Sequence, residues 1–180
     1  MSKKQTTLEK SPSKTKEEVI KEAKRIEEST LFSSKKHFVT SDFWLVFHYI
    51  LGVPIVVLSA IAGLSILSKF DQNKTLSGIL ALIVTALSAL MTFFNPNERA
   101  SSHKNFGNSY DALCNNVRIF RTIDCRKEKS EDVLTEKLKY YSEQKDRLNS
   151  DAPQTPWFAY PIAKRGIEKG EADYIVDKVV

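Results

Sequence analysis

FWLVFHYILGVPIVVLSAIAGLSIL, residues 43–67, and TLSGILALIVTALSALMTFFNPN, residues 75–97, contain no Asp, Glu, Lys or Arg. Each exceeds the roughly 20 residues needed to cross the hydrocarbon core of a bilayer. Between them lies SKFDQNK, residues 68–74, too short to hold a domain, so the chain must turn straight back. This predicts transmembrane helix 1 at 43–67, a short external turn at 68–74 and transmembrane helix 2 at 75–95, with both chain ends on one side. The fold class expected is an all-α membrane protein: a two-transmembrane helical hairpin with a cytoplasmic helical domain built from the N- and C-terminal helices.

Whole-chain averages conceal this pattern. Mean hydropathy is −0.30, and 27% of the 180 residues are charged, for a net charge of +5. Because the two stretches carry no charge, the rest of the chain is strongly hydrophilic. That length holds one hairpin and a modest helical domain, with no room for a further enzyme fold of usual size. The first stretch follows a long charged segment, unlike the short N-terminal apolar region of a secretory signal, so both spans are expected in the mature protein. Lys24, Arg25, Lys35, Lys36, Arg99 and Lys104 flank the spans on the terminal side, against Lys69 and Lys74 in the turn. This asymmetry predicts a multi-pass membrane protein with both termini cytoplasmic.

Outside the spans, residues 1–15 are rich in Lys, Ser and Thr and read as a disordered basic tail. Residues 16–42 read as an N-terminal cytoplasmic helix followed by a membrane-surface segment. Val19, Ala23, Ile26 and Thr30 share one helical face by four-three-four spacing, whereas Leu31 to Phe38 mix apolar and basic residues suited to headgroup level. Trp44 and Tyr49 are placed as interfacial anchors.

The second span carries a stripe, Gly78, Ala81, Thr85, Ser88, Thr92 and Asn95, of small or hydroxyl-bearing residues at three-four spacing. Leu80, Val84, Leu87, Met91 and Phe94 occupy the remaining, lipid-compatible surface. Such a stripe serves either close helix packing, for which Ser59 and Gly63 offer a matching surface, or the wall of a wet passage. Neither span holds Asp, Glu, Lys or Arg at depth, which argues against a proton relay or coupled transporter. Asn95 and Pro96 are the candidate hinge: Asn95 can cap a new helix, Pro96 suits its first position, and Glu98 follows three residues after the cap.

Residues 96–150 read as cytoplasmic helices. His103, Phe106, Tyr110, Leu113, Val117 and Phe120 form a heptad-like seam that packs against another helix or against its own copy. Leu134, Leu138, Tyr141 and Leu148 line a further helix from Ser130 to Asn149. Residues 151–180 comprise a Pro and aromatic loop, with Trp157, Phe158 and Tyr160 as core or interface anchors. A last helix, Ile162 to Lys169, is stopped by Gly170 and followed by a short tail that can be extended. Arg118, Arg121, Arg126, Lys164 and Arg165 are candidate contacts for a phosphate-bearing messenger or an acidic partner surface, although interleaved carboxylates offer them ordinary ion pairs.

No catalytic group, cofactor site or metal site is predicted. His103 sits on the seam and reads as a packed histidine, and His37, His48 and His103 lack metal-ligand spacing. Cys114 and Cys125 have no CxxC spacing and read as reduced packing thiols. No nucleic-acid partner is expected.

The order of parts, with the helix PNERASSHKNFGNSYDAL at residues 96–113 and the closing block YPIAKRGIEKGEADY at 160–174, resembles the SLATT domain, a family of two-transmembrane effectors found beside bacterial nucleotide-signalling genes. The resemblance covers roughly residues 20–178. It implies a bacterial membrane effector in antiphage conflict and cell suicide, acting by pore formation or other damage to the inner membrane after a signalling partner or nucleotide second messenger reports infection. Two spans cannot enclose an aqueous pathway, so a pore requires a homo-oligomer in the lipid bilayer. The alternative is a membrane-anchored interaction or scaffold protein, with the hairpin as tether.

Overall fold

The computed structural model describes residues 14–67 and 75–177. Most of the expected basic tail and the whole expected turn at 68–74 lie outside the described residues. Within them all regular structure is helical: α1 (Lys14–Leu67), α2 (Thr75–Phe94), α3 (Pro96–Ile119), a π turn (Phe120–Asp124), α4 (Cys125–Lys127), α5 (Glu131–Asp151), α6 (Ala159–Glu168) and a 3-10 turn (Ile175–Asp177).

Two segments are long and apolar enough to cross a membrane. Their best windows reach mean hydropathies of 2.3 and 2.2 with only 11% and 6% of residues buried, whereas a soluble core helix would be mostly buried. The apolar surface therefore lacks cover within the chain, as expected of a segment solvated by lipid.

α1 is one helix of 54 residues that runs from the charged segment into the uncharged one and continues through Pro54. Pro54 removes one backbone donor, and the rest of the ladder holds. The four-three-four face read at Val19, Ala23, Ile26 and Thr30 continues through Ser34, His37 and Ser41, all buried. The stretch Leu31 to Phe38, expected at headgroup level, has one side packed against protein at Ser34 and His37. Its buried side chains are small and polar, so apolar periodicity did not mark it.

The chain forms two compact units. In the first, residues up to Ser33 and Ser109–Asp151, the core consists of Val19, Ala23, Ile26, Leu113, Val117, Phe120, Cys125 and Leu134, with Leu138, Tyr141 and Leu148 packed on it. The predicted side of α5 is the side that faces the core. The π turn explains how Phe120 and Cys125 share this core at a spacing of five. A regular helix would bring Asp124 inward at i+4 instead. The extra residue in the turn keeps Asp124 outside, where its carboxylate accepts a hydrogen bond from Lys137 Nζ at 3.0 Å.

In the second unit, Ser34–Asn108 and Ala152–Val180, α2 lies against the apolar part of α1. Phe47 and Phe94 rings meet edge-on with centroids 5.6 Å apart, and a Cβ added at Gly52 would stand 3.1 Å from the Met91 methyl. Leu51, Ala62 and Ser65 are the buried residues of α1 here. α2 ends at Phe94, Asn95 adopts a left-handed φ of 42°, and Pro96 opens α3. The predicted helix restart is therefore seen, with Arg99 N–H donating to Asn95 O at 3.2 Å.

The last helix begins three residues before its expected start and ends at Glu168, with Gly170 at φ 83° supplying the predicted stop. The tail after Gly170 forms turns and the short 3-10 segment.

Replacing Phe120, fully buried, by Ala is expected to cost about 3–5 kcal/mol. A denaturation midpoint of the detergent-solubilised chain that does not move would contradict this core.

Candidate functional site

Four groups of sequence-predicted residues can now be placed. The stripe on α2 divides: Gly78, Ala81 and Thr85 are exposed, whereas Ser88 is half-buried and Thr92, though exposed, faces a groove shared with α1. Nothing lies within 4 Å of a Cβ added at Gly78 or Gly63. Packing of the two helices within one chain therefore does not use the Gly78 end of the stripe or the Ser59 and Gly63 surface. It uses the Leu80, Val84, Leu87, Met91 and Phe94 ridge, half-buried throughout, which sequence reading had assigned to lipid. The larger side chains reach across to α1 where Phe94 meets Phe47 and Met91 meets Gly52.

The exposed hydroxyls are satisfied locally. Thr85 Oγ1 donates to Ala81 O at 2.8 Å and Thr92 Oγ1 to Ser88 O at 3.0 Å, so neither needs a partner helix. Ser88 and Thr92 also line a cavity of about 610 Å³ between the helices, together with His48, Gly52, Val56 and Met91. His48 Nδ1 is buried there without a hydrogen-bond partner.

The hinge residues are at the junction itself. Asn95 contacts the Glu98 carboxylate through Nδ2, Pro96 is buried, and Arg99 Nε donates to Phe94 O at 2.8 Å. Arg99 thereby ties the last carbonyl of α2 to the first turn of α3, and the Asn95–Glu98 contact braces the corner.

The seam is buried, as expected of a packing surface, but it is consumed inside the chain. Leu113, Val117 and Phe120 belong to the core described above, Tyr110 Oη donates to Asn149 Oδ1 at 2.9 Å, and His103 is packed against α1. Of the two alternatives for this seam, packing against other helices of the same chain is the one seen. Phe106 is half-buried beside His37, with ring centroids 6.0 Å apart.

His37 was not singled out from the sequence except to dismiss a metal, yet it pairs with His103 at 3.0 Å between Nδ1 atoms. Both residues are about 5% exposed or less. One ring must donate its N–H and the other accept through a bare nitrogen, so two Nδ1 protons cannot be accommodated. Burial foremost, then His103 and the Lys36 cation, push His37 down to about 4. Burial and Arg99 also lower His103. One helical turn away, a Cβ at Gly107 would stand 2.8 Å from the Phe38 ring, and Ser41 Oγ donates to Ala100 O at 2.9 Å. Gly107 thus leaves room for the Phe38 ring against α3, a role legible in the sequence only as a glycine inside a helical pattern.

The candidate basic contacts divide between the units. Arg121 is committed to Glu27 through two hydrogen bonds of 2.6 and 3.2 Å, so it is a structural cation and not an open ligand contact. Arg118 is half-buried and Arg126 exposed. In the second unit Lys164 lies 3.7 Å from Glu168, while Arg165 lines a shallow cavity with Lys35, Val39 and Gly166. Cys125 is in the core and Cys114 Sγ lies 3.4 Å from Glu27 O; burial raises both thiols, which makes them poor nucleophiles. Among the described residues no group of three or more His, Cys, Asp or Glu side chains is arranged to hold a metal. Trp157, expected as a core or interface anchor, is 87% exposed, whereas Phe158 packs on Phe43 at 5.1 Å.

The lowered His37 pKa fixes a sign. The paired state holds its full contribution above pH 6.5 and loses up to about 1.4 kcal/mol per pH unit as pH falls from 6.5 toward 4. Thermal midpoints measured from pH 7 to 4.5 are expected to fall more steeply for the native chain than for His37→Asn, and parallel slopes would contradict the pairing. Gly107→Ala is expected to lower the midpoint, and combining it with Phe38→Ala to recover part of that loss. Strictly additive losses would place the clash elsewhere.

No protein-family model, curated protein or solved structure matches this chain.

Proposed function

We propose that this chain is a membrane effector of the SLATT type, which oligomerises in the inner membrane with both termini cytoplasmic and opens a pore that damages the cell. The observation that carries this reading is the exposed hydroxyl stripe of α2. A segment otherwise solvated by lipid keeps Thr85 and Thr92 on an uncovered face and Ser88 at its edge, although its packing against α1 is done by larger apolar residues. Several copies arranged about an axis would turn that face inward, and Thr hydroxyls lining a passage would replace part of an ion's hydration.

With the α3 seam occupied inside the chain, the copies would meet through the apolar helices. Ser59 and Gly63 on α1, exposed like Gly78 and Ala81 on α2, offer two small-residue faces for a head-to-tail contact that closes into a ring. The junction at Asn95 and Pro96 is then the joint through which a signal received by the soluble helices reaches α2. The signal would be a partner protein or a nucleotide second messenger, with Arg118, Arg126 and Arg165 as the remaining candidate contacts. No catalytic step is assigned to the chain.

A second reading, an anchored scaffold without pore activity, is favoured by the local satisfaction of the Thr85 and Thr92 hydroxyls, which lets that face rest in lipid without water.

The two readings separate on induced expression in a bacterial host with membrane potential and dye entry recorded. Depolarisation by the native chain, reduced at least about tenfold in Thr85→Leu/Ser88→Leu/Thr92→Leu at matched membrane levels, is the expected result. Equal depolarisation by both chains would remove the lining role. Correct insertion with no depolarisation, even when the neighbouring signalling gene is coexpressed, would favour the scaffold.

A further inference from the structure

We propose that the second unit holds a seat for the phosphate of an anionic glycerophospholipid, built from Arg99, Ser102, His103, Gln154 and Thr155 around Trp44. The inference rests on the reading of residues 43–67 and α2 as membrane spans, and it adds a specific lipid contact to them. A cavity of about 430 Å³ is lined by these side chains and by Pro153 and Pro156. It lies where both apolar stretches end: Trp44 is the second residue of the first uncharged stretch, and Arg99 is the first cation after α2. In a bilayer that is the headgroup level.

The lining has the chemistry of an anion site. It contains one guanidinium, two hydroxyls, an amide and an imidazole, and no carboxylate. Arg99 is held in place on two sides: its Nε donates to Phe94 O at 2.8 Å, and its guanidinium carbon stands 5.0 Å from the Trp44 ring centroid. This fixes the plane of the guanidinium and leaves its terminal nitrogens for a ligand, because among the described residues no carboxylate pairs with it. A guanidinium so oriented matches a phosphate through two parallel hydrogen bonds. The opposite wall is the segment Pro153-Gln154-Thr155-Pro156, whose two prolines restrict the backbone between α5 and α6 and present the Gln154 and Thr155 side chains.

The apolar side of the seat points to a lipid over a soluble phosphate. Trp44 packs on Phe43 and Phe47 with centroids 5.4 and 5.8 Å away, and Phe47 continues to Phe94. Acyl chains attached to a phosphate at Arg99 would run along this aromatic cluster toward the hydrocarbon. Immediately after the Pro153–Pro156 segment, Trp157 is left 87% exposed, the disposition of an indole that anchors at the membrane interface.

The test is native mass spectrometry of the full chain in detergent, titrated separately with phosphatidylglycerol, phosphatidylcholine and inorganic phosphate. Phosphatidylglycerol is expected to be retained preferentially. Arg99→Gln should weaken it about tenfold to a hundredfold, as for loss of a charge-assisted hydrogen bond, and Gln154→Ala/Thr155→Ala, outside every helix, should weaken it with the helical circular dichroism spectrum unchanged. Equal retention of phosphatidylcholine would overturn anionic selectivity, and binding of inorganic phosphate without lipid would overturn the lipid source. Retention of phosphatidylglycerol that is unaffected by both variants would overturn the site. Carbonate extraction of membranes expressing the chain distinguishes the two levels: release of the chain sinks the membrane-spanning reading, whereas a chain that stays embedded and binds lipid indifferently to Arg99 sinks only this inference.

Discussion

The close approach of α1 and α3 in the second unit is the constraint on which the neighbouring features depend. Gly107 lets the Phe38 ring occupy the space where any side chain would stand. At that separation the Ser41 hydroxyl reaches the Ala100 carbonyl and His37 meets His103 edge to edge. A wider spacing would break both hydrogen bonds and leave buried polar groups without partners, each costing about 1–3 kcal/mol. The contact is therefore held by its own penalties for opening.

How much of this was legible in the sequence depends on which force acts at each position. Where burial of apolar groups decides, reading succeeded: Val19, Ala23, Ile26, Leu113, Val117, Phe120 and Leu134 have a helical period, and all are core. The helix break at Asn95 and the stop at Gly170 were also readable, because each rests on a backbone preference local to one or two residues. The two long apolar helices follow from the absence of charge alone.

Reading failed where polar residues do the packing. Ser34, His37, Thr40 and Ser41 look like surface residues by composition, yet they are buried, because Thr40 returns its hydroxyl to Lys36 O, Ser41 and His37 find partners on α3, and small side chains permit the close contact. The face of α2 used against α1 was misassigned for the complementary reason. Large apolar and small polar faces are both compatible with lipid and with protein, so hydropathy cannot rank them; shape does. The π turn was invisible because it depends on where Asp124 would otherwise point, a property of the assembled core and not of any local pattern.

The junction between α2 and α3 also bears on the chemical lifetime of the protein. An asparagine in a left-handed turn is ordinarily open to attack by the amide nitrogen of the next residue on its own side chain, which closes a succinimide ring and ends in loss of the amide. Here the next residue is Pro96, whose nitrogen carries no hydrogen, so Asn95 is shielded from that route while keeping the φ of 42° that the corner requires. The same dipeptide that turns the chain thus closes this route to deamidation at the corner.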